Sequence, residues 1–101
     1  MFYFCEAFLA DPLPFPDRET LEAVHNEHIR YIAEGVEKGL VVFGGPKSAN
    51  GGAILIKAPS VAECEAFLAG DPMIKAKAQH YDITEFQIIE HNPCLDPLLS
   101  E

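Results

Sequence analysis

Two histidines three residues apart, His25 and His28, and an aspartate that precedes a proline, Asp71-Pro72, carry the strongest chemical cues in the chain. An imidazole titrates near neutrality, so it can take up or release a proton during a reaction. His28 lies in the middle of an apolar stripe, one helical turn after Val24 and one before Ile32. A polar ring at that position faces packed side chains and needs a partner. Two readings of His28 stay open: a core histidine bonded to a backbone carbonyl, or a general acid or base beside a pocket. Asp71 has an ordinary use as a helix cap. A capping carboxylate can still turn its other oxygen to a nearby imidazole, orient the ring and support its protonated form, as the aspartate of a triad does.

Other residue sets carry less. His25 and His28 could present two ligands to a metal, with His80, Asp71 or Glu22 as a third, but no motif fixes such a set. Gly44, Gly45 and Gly52 satisfy turn geometry and could also let a ligand approach the backbone. Lys47 and Ser48 share that loop, yet neither a phosphate-binding loop nor a dinucleotide fingerprint surrounds them. No nucleophile-elbow serine is present. Cys5, Cys64 and Cys94 make an odd set without a C-x-x-C pair. That fits neither a disulfide framework nor a zinc ribbon and implies reduced thiols in a cytosolic protein.

The elements that must position these groups follow from periodicity and punctuation. Met1 to Leu9 is aromatic-rich and apolar on both alternating sides, which suits a central strand. Pro12, Pro14 and Pro16 make the next stretch a connector. Asp17 then caps a helix running to about Lys38, with Leu21, Val24, His28, Ile32 and Val36 along one stripe and Gly39 at its end. Leu40 to Phe43 forms a short strand that Gly44-Gly45-Pro46 breaks, and Ala53 to Ala58 the next. Ser60 and Glu63 form a capping box for a second helix reaching about Ala69, ended by Gly70. A short helix over Met73 to Gln79 and a last strand over Tyr81 to Glu90 follow. The tail from His91 carries Pro93 and Pro97 and is expected to be irregular. The order is β-α-β-β-α-β. Right-handed crossovers then place both helices on one face of a four-stranded antiparallel sheet, a ferredoxin-like α+β fold.

The 101 residues suffice for one domain, here spanning 1–101, and 49% hydrophobic residues supply a core. The net charge of −9 disfavours nucleic acid and anionic lipid as partners, because both are bound through Lys and Arg. No apolar run is long enough to span a membrane, and the first ten residues lack the basic start of a signal peptide. A cytoplasmic protein is expected.

Two helices cover only one face of the sheet, yet its strands are apolar on both. Ile54 and Ile56 oppose Ala53 and Leu55, and Ile83 and Ile89 oppose Phe86 and Ile88. A soluble monomer avoids so large an apolar patch, so a homodimer stacked through the sheet face is expected. The competing cover is the tail, with Leu95, Leu98 and Leu99.

The stretches His28-Ile29, Gly39-Leu40, Gly45-Pro46, Gly52 and Asp71-Pro72, in this order and spacing over about residues 1–90, resemble the YciI-like (YCII-related) family. The resemblance implies a dimeric α/β barrel with His28 and Asp71 as an active-site pair. Related activities include dehydrochlorination of a chlorinated hydroxyhydroquinone, and similar barrels include lactone isomerases and small monooxygenases. Met73 stands where an aromatic commonly follows the Asp-Pro pair, and the last strand lacks the usual Pro-Phe ending. The expected function is an enzyme without metal or organic cofactor, with His28 and Asp71 moving a proton on a small, aromatic or enolic molecule by elimination or isomerisation. The alternatives are a non-catalytic ligand-binding or regulatory module, and a metal or haem site at His25 or His28.

Overall fold

A computed structural model, which describes residues 1–100, places the aromatic N-terminal strand at the centre of the sheet. β1 (Phe2–Leu9) pairs antiparallel with β3 (Gly52–Lys57) on one side and β4 (Gln79–Phe86) on the other. β2 (Val41–Pro46) pairs with β3, giving the order β2-β3-β1-β4. α1 (Arg18–Glu37) follows β1, while α2 (Val61–Ala69) and the single turn α3 (Pro72–Lys75) precede β4. This is the βαββαβ topology of a ferredoxin-like α+β fold.

Local chemistry sets the helix starts. The Asp17 carboxylate accepts from the Thr20 amide at 2.7 Å, and Ser60 Oγ from the Glu63 amide at 3.3 Å. Both side chains satisfy amides that have no partner within the helix. The Thr20 bonds hold the Asp17 carboxyl below its ordinary value.

Alternation along the strands separates the two faces. On the helix face, Tyr3, Cys5, Ile54 and Ile56 join Val41, Ala58, Cys64 and Leu68 in one buried cluster, with Ile32, Phe67, Tyr81 and Ile83 packed against it. Tyr31 of α1 stacks on Phe67 of α2 at 5.0 Å and donates to its carbonyl at 2.6 Å. The helices meet closely because Gly35 has no side chain: a Cβ there would lie 2.7 Å from Phe67 Cζ. Gly35 is thus the buried residue in the last turns of α1, and Val36, expected in the stripe, is exposed.

Several boundaries differ from those expected. β2 continues through Gly44-Gly45-Pro46, because an edge strand tolerates a proline that has no N–H to offer. The short helix stops at Lys75 rather than Gln79, and β4 begins at Gln79 and ends at Phe86. Ile88 and Ile89 therefore lie beyond the sheet and do not contribute to its faces. The tail, expected to be irregular, forms a 3-10 turn over Pro93–Leu95 and one helical turn, α4 (Asp96–Leu99). Lys57 Nζ bonds the Ser100 carbonyl, which brings the tail's end to β3.

Neither α1 nor α2 packs on the other face of the sheet. Phe4, Phe43 and Phe86 on it remain 39%, 55% and 38% exposed, around a buried Leu55. Glu6, Lys47, Phe8 and His80 occupy one end of this face. Lys47 Nζ lies 3.2 Å from Glu6 Oε2 and 3.8 Å above the Phe8 ring, which stacks on His80.

Candidate active site

The segment from Asp71 to Tyr81 folds back on itself, and the reason is local. Asp71 caps α3 through Oδ1, which accepts from the Met73 amide at 2.9 Å, with Pro72 preset for the first helical position. The turn ends in a Schellman motif: the Ala78 amide bonds the Met73 carbonyl and the Lys77 amide the Ile74 carbonyl, both at 2.9 Å. Lys77 adopts the left-handed conformation this motif requires, with φ 60°. β4 then starts at once. Its alternation puts Gln79 and Tyr81 on the helix face, opposite Leu9 and Ala7 of β1. Both side chains thereby return to the aspartate eight and ten residues earlier.

Asp71 is the one buried charged side chain among the described residues, at 0% exposure. His28 Nδ1 lies 2.8 Å from each of its oxygens. Oδ2 also accepts from Tyr81 Oη at 2.8 Å and from Gln79 Nε2 at 3.2 Å. Every neighbour within reach is thus a donor or can act as one. A carboxylate only accepts, so the proton shared with His28 sits on Nδ1 and the neutral ring keeps its lone pair on Nε2. Burial first, and the Asp71 charge second, push the Tyr81 hydroxyl far above its ordinary value, so it stays a donor. Burial and the same charge also raise Tyr31.

His28 opens onto a cavity of about 860 Å³ between α1 and the helix face of the sheet. Leu9, Leu13, Leu21, Ile29, Ile32 and Met73 make much of its lining apolar. The β2–β3 hairpin forms a floor with few side chains, from Gly44, Gly45, Gly51 and Gly52. At Gly51 the close approach demands glycine: φ is +74°, and a Cβ would sit 1.9 Å from the Ala7 carbonyl oxygen. The Asn50 side chain pins the same hairpin to β1 by accepting from the Leu9 amide at 2.9 Å. An apolar hollow with one oriented imidazole and a few polar groups is suited to hold a small molecule and move a proton on it.

The structure therefore brings His28 and Asp71 together across 43 residues of chain. His25 lines the cavity beside His28, its ring 5.8 Å away. Glu22 lines it as well, paired with Arg18 at 3.0 Å. His80 is not brought there; it stacks on Phe8 on the open face. No three His, Cys, Asp or Glu side chains gather as a metal set among the described residues. Lys47 turns away to Glu6. Cys5 and Cys64 are buried with sulfurs 3.7 Å apart, and burial pushes both thiols up, while Cys94 is exposed. Sequence reasoning missed Gln79 and Tyr81. The available signal was their period-two spacing with Ile83, which places all three on the core face of one strand.

The profile of the YCII-related domain matches residues 1–87. Among solved structures, the chain is similar to 5-chloro-2-hydroxyhydroquinone dehydrochlorinase (TftG) from Burkholderia phenoliruptrix AC1100, in complex with 2,5-dihydroxybenzoquinone. The TM-score is 0.62 at 16% identity, over 86% of this chain and 94% of that one. No curated protein matches. Among the described residues, no helix is long and apolar enough to cross a membrane.

Proposed function

Because the chain belongs to the YCII-related domain family, we propose that it is a small-molecule enzyme that moves a proton with His28, oriented by Asp71. The observation that carries this reading is the contact of His28 Nδ1 with both oxygens of a fully buried carboxylate, 2.8 Å each, at the wall of an apolar cavity. In the elimination form, Nε2 takes a proton from the substrate. The electron pair left behind forms a double bond, and a leaving group such as chloride departs with the pair of the bond that breaks. In the isomerisation form, the imidazolium returns the proton to a different atom. In both, Asp71 stabilises the positive ring that forms midway. The dehydrochlorinase neighbour supports the elimination form and a small enolic or aromatic substrate.

The same reading includes a homodimer through the open sheet face. Its support is the exposed Phe4, Phe43 and Phe86, which the tail leaves uncovered. The direct experiment is chloride release from 5-chloro-2-hydroxyhydroquinone by the wild type and by His28→Ala. A general base contributes about 10²–10⁴ in rate, so a loss of that order is expected. Equal turnover by the two proteins would overturn the assignment.

A further inference from the structure

A helix cap at Asp71 needs one oxygen and one amide, and Oδ1 with Met73 supplies both. Capping therefore leaves Oδ2 without a task, yet Oδ2 takes two further donors from β4. Tyr81 Oη reaches it at 2.8 Å and Gln79 Nε2 at 3.2 Å. Gln79 Nε2 also lies 3.2 Å from Tyr81 Oη, so the three groups close a triangle. Tyr81 and Gln79 both reach the cavity wall, which makes the triangle part of the same site.

We infer that Tyr81 and Gln79 are positioning residues that hold the Asp71 carboxylate in one orientation and thereby keep His28 in the tautomer with its Nε2 lone pair toward the cavity. The inference rests on the proton-transfer reading of His28 and extends it to two residues of β4. The reason is rotational freedom. Oδ1 alone leaves the carboxylate able to turn about its last torsion, which is broad and roughly two-fold. Two donors on Oδ2 close that freedom and keep both oxygens within reach of Nδ1. The bond from Tyr81 is the shorter, and burial makes its hydroxyl harder to ionise and keeps it a donor, so Tyr81 is the stronger of the two. Without them the carboxylate turns, the Nδ1–H bond lengthens and the other tautomer becomes populated, with Nε2 protonated and unable to act as a base.

The test needs no substrate. Long-range ¹H–¹⁵N correlation spectra of the whole protein, recorded with the rings neutral, distinguish the two tautomers of His28. The wild type is expected to show Nδ1–H alone. Tyr81→Phe, which keeps the ring and removes only the hydroxyl, is expected to show both tautomers, Gln79→Met a smaller admixture, and the double variant the largest. Turnover of 5-chloro-2-hydroxyhydroquinone is expected to fall in kcat by roughly tenfold or more in Tyr81→Phe with little change in KM, because misplacement by even an ångström is costly. A single unchanged tautomer in the folded double variant would overturn the role of Tyr81 and Gln79 while leaving His28 and Asp71 untouched. If the wild type itself carries its proton on Nε2, the proton-transfer assignment falls and the role of β4 falls with it.

Discussion

Replacing Asp71 by Asn tests the site with the least change of shape. The side chain is buried at 0% exposure and meets His28, Tyr81, Gln79 and the Met73 amide within 2.8 to 3.2 Å. The amide keeps one acceptor oxygen and puts an NH₂ where donors already point. A bond to a charged group contributes about 1.5–3 kcal/mol and a neutral one about 0.5–1.5, so three side-chain bonds weaken by roughly 1 kcal/mol each. Burying a neutral amide is less costly than burying a carboxylate, and that offsets part of the loss. The net destabilisation is expected at about 1–3 kcal/mol. The effect on rate is larger. Unit charges about 4 Å apart attract by roughly 4 kcal/mol at an effective dielectric near 20. The His28 side chain is 20% exposed, so water trims that figure to about 2–4 kcal/mol. A loss of that size in the transition state slows the reaction by about 30-fold to 1000-fold. Thermal unfolding gives the first number and initial rates of chloride release the second. A folded variant whose kcat/KM stays within about threefold of wild type would contradict the role given to the carboxylate, because it would sit below the smallest effect worked here.

Other outcomes follow from named contacts. Gly51→Ala meets both a left-handed backbone and the Ala7 carbonyl, so a loss of about 3 kcal/mol or more is expected, read as a fall in Tm of over ~10 °C. Tyr81 ionises far less readily in the folded protein than its ordinary value of 10.0, chiefly through burial. Its stabilising share is therefore complete below pH 10 and is lost as pH rises beyond it, and Tyr81→Phe should flatten the alkaline limb of a denaturation series. Sedimentation equilibrium should find two subunits for the wild type, and Phe43→Ser with Phe86→Ser should shift the mass toward one subunit with the helix content retained; a monomeric wild type would refute the stacked sheets.

Much of this architecture was legible because its signals are local. Asp17, Ser60 and Asp71 each announce a helix start by a side-chain oxygen at the right offset, and the caps form where expected. His28 stood out because a polar ring within an apolar stripe has to find a partner. The partner set was only half visible. Asp71 could be named from its own cap, but Tyr81 and Gln79 reach it through a Schellman turn whose left-handed residue is Lys77 rather than glycine, so nothing in the composition marked the reversal. For the same reason β4 starts at Gln79, two residues before the Tyr81 that the sequence pattern indicates. Gly-Gly-Pro reads as a stop in sequence, yet β2 runs through it, because on an edge the missing proline donor costs the sheet no bond. Val36 fits the buried stripe by hydropathy yet is exposed, because Phe67 needs the empty space at Gly35.

Asp71 serves folding through one oxygen and the imidazole through both. A descendant of this chain without the proposed proton transfer would still be held to the aspartate, since losing it would undo the turn into β4. His28 has no comparable anchor, because an apolar side chain could fill its place in the stripe. In diverging copies of this domain the imidazole should therefore disappear before the carboxylate. A relative that retains only the Asp-Pro pair is better regarded as a scaffold than as a working enzyme.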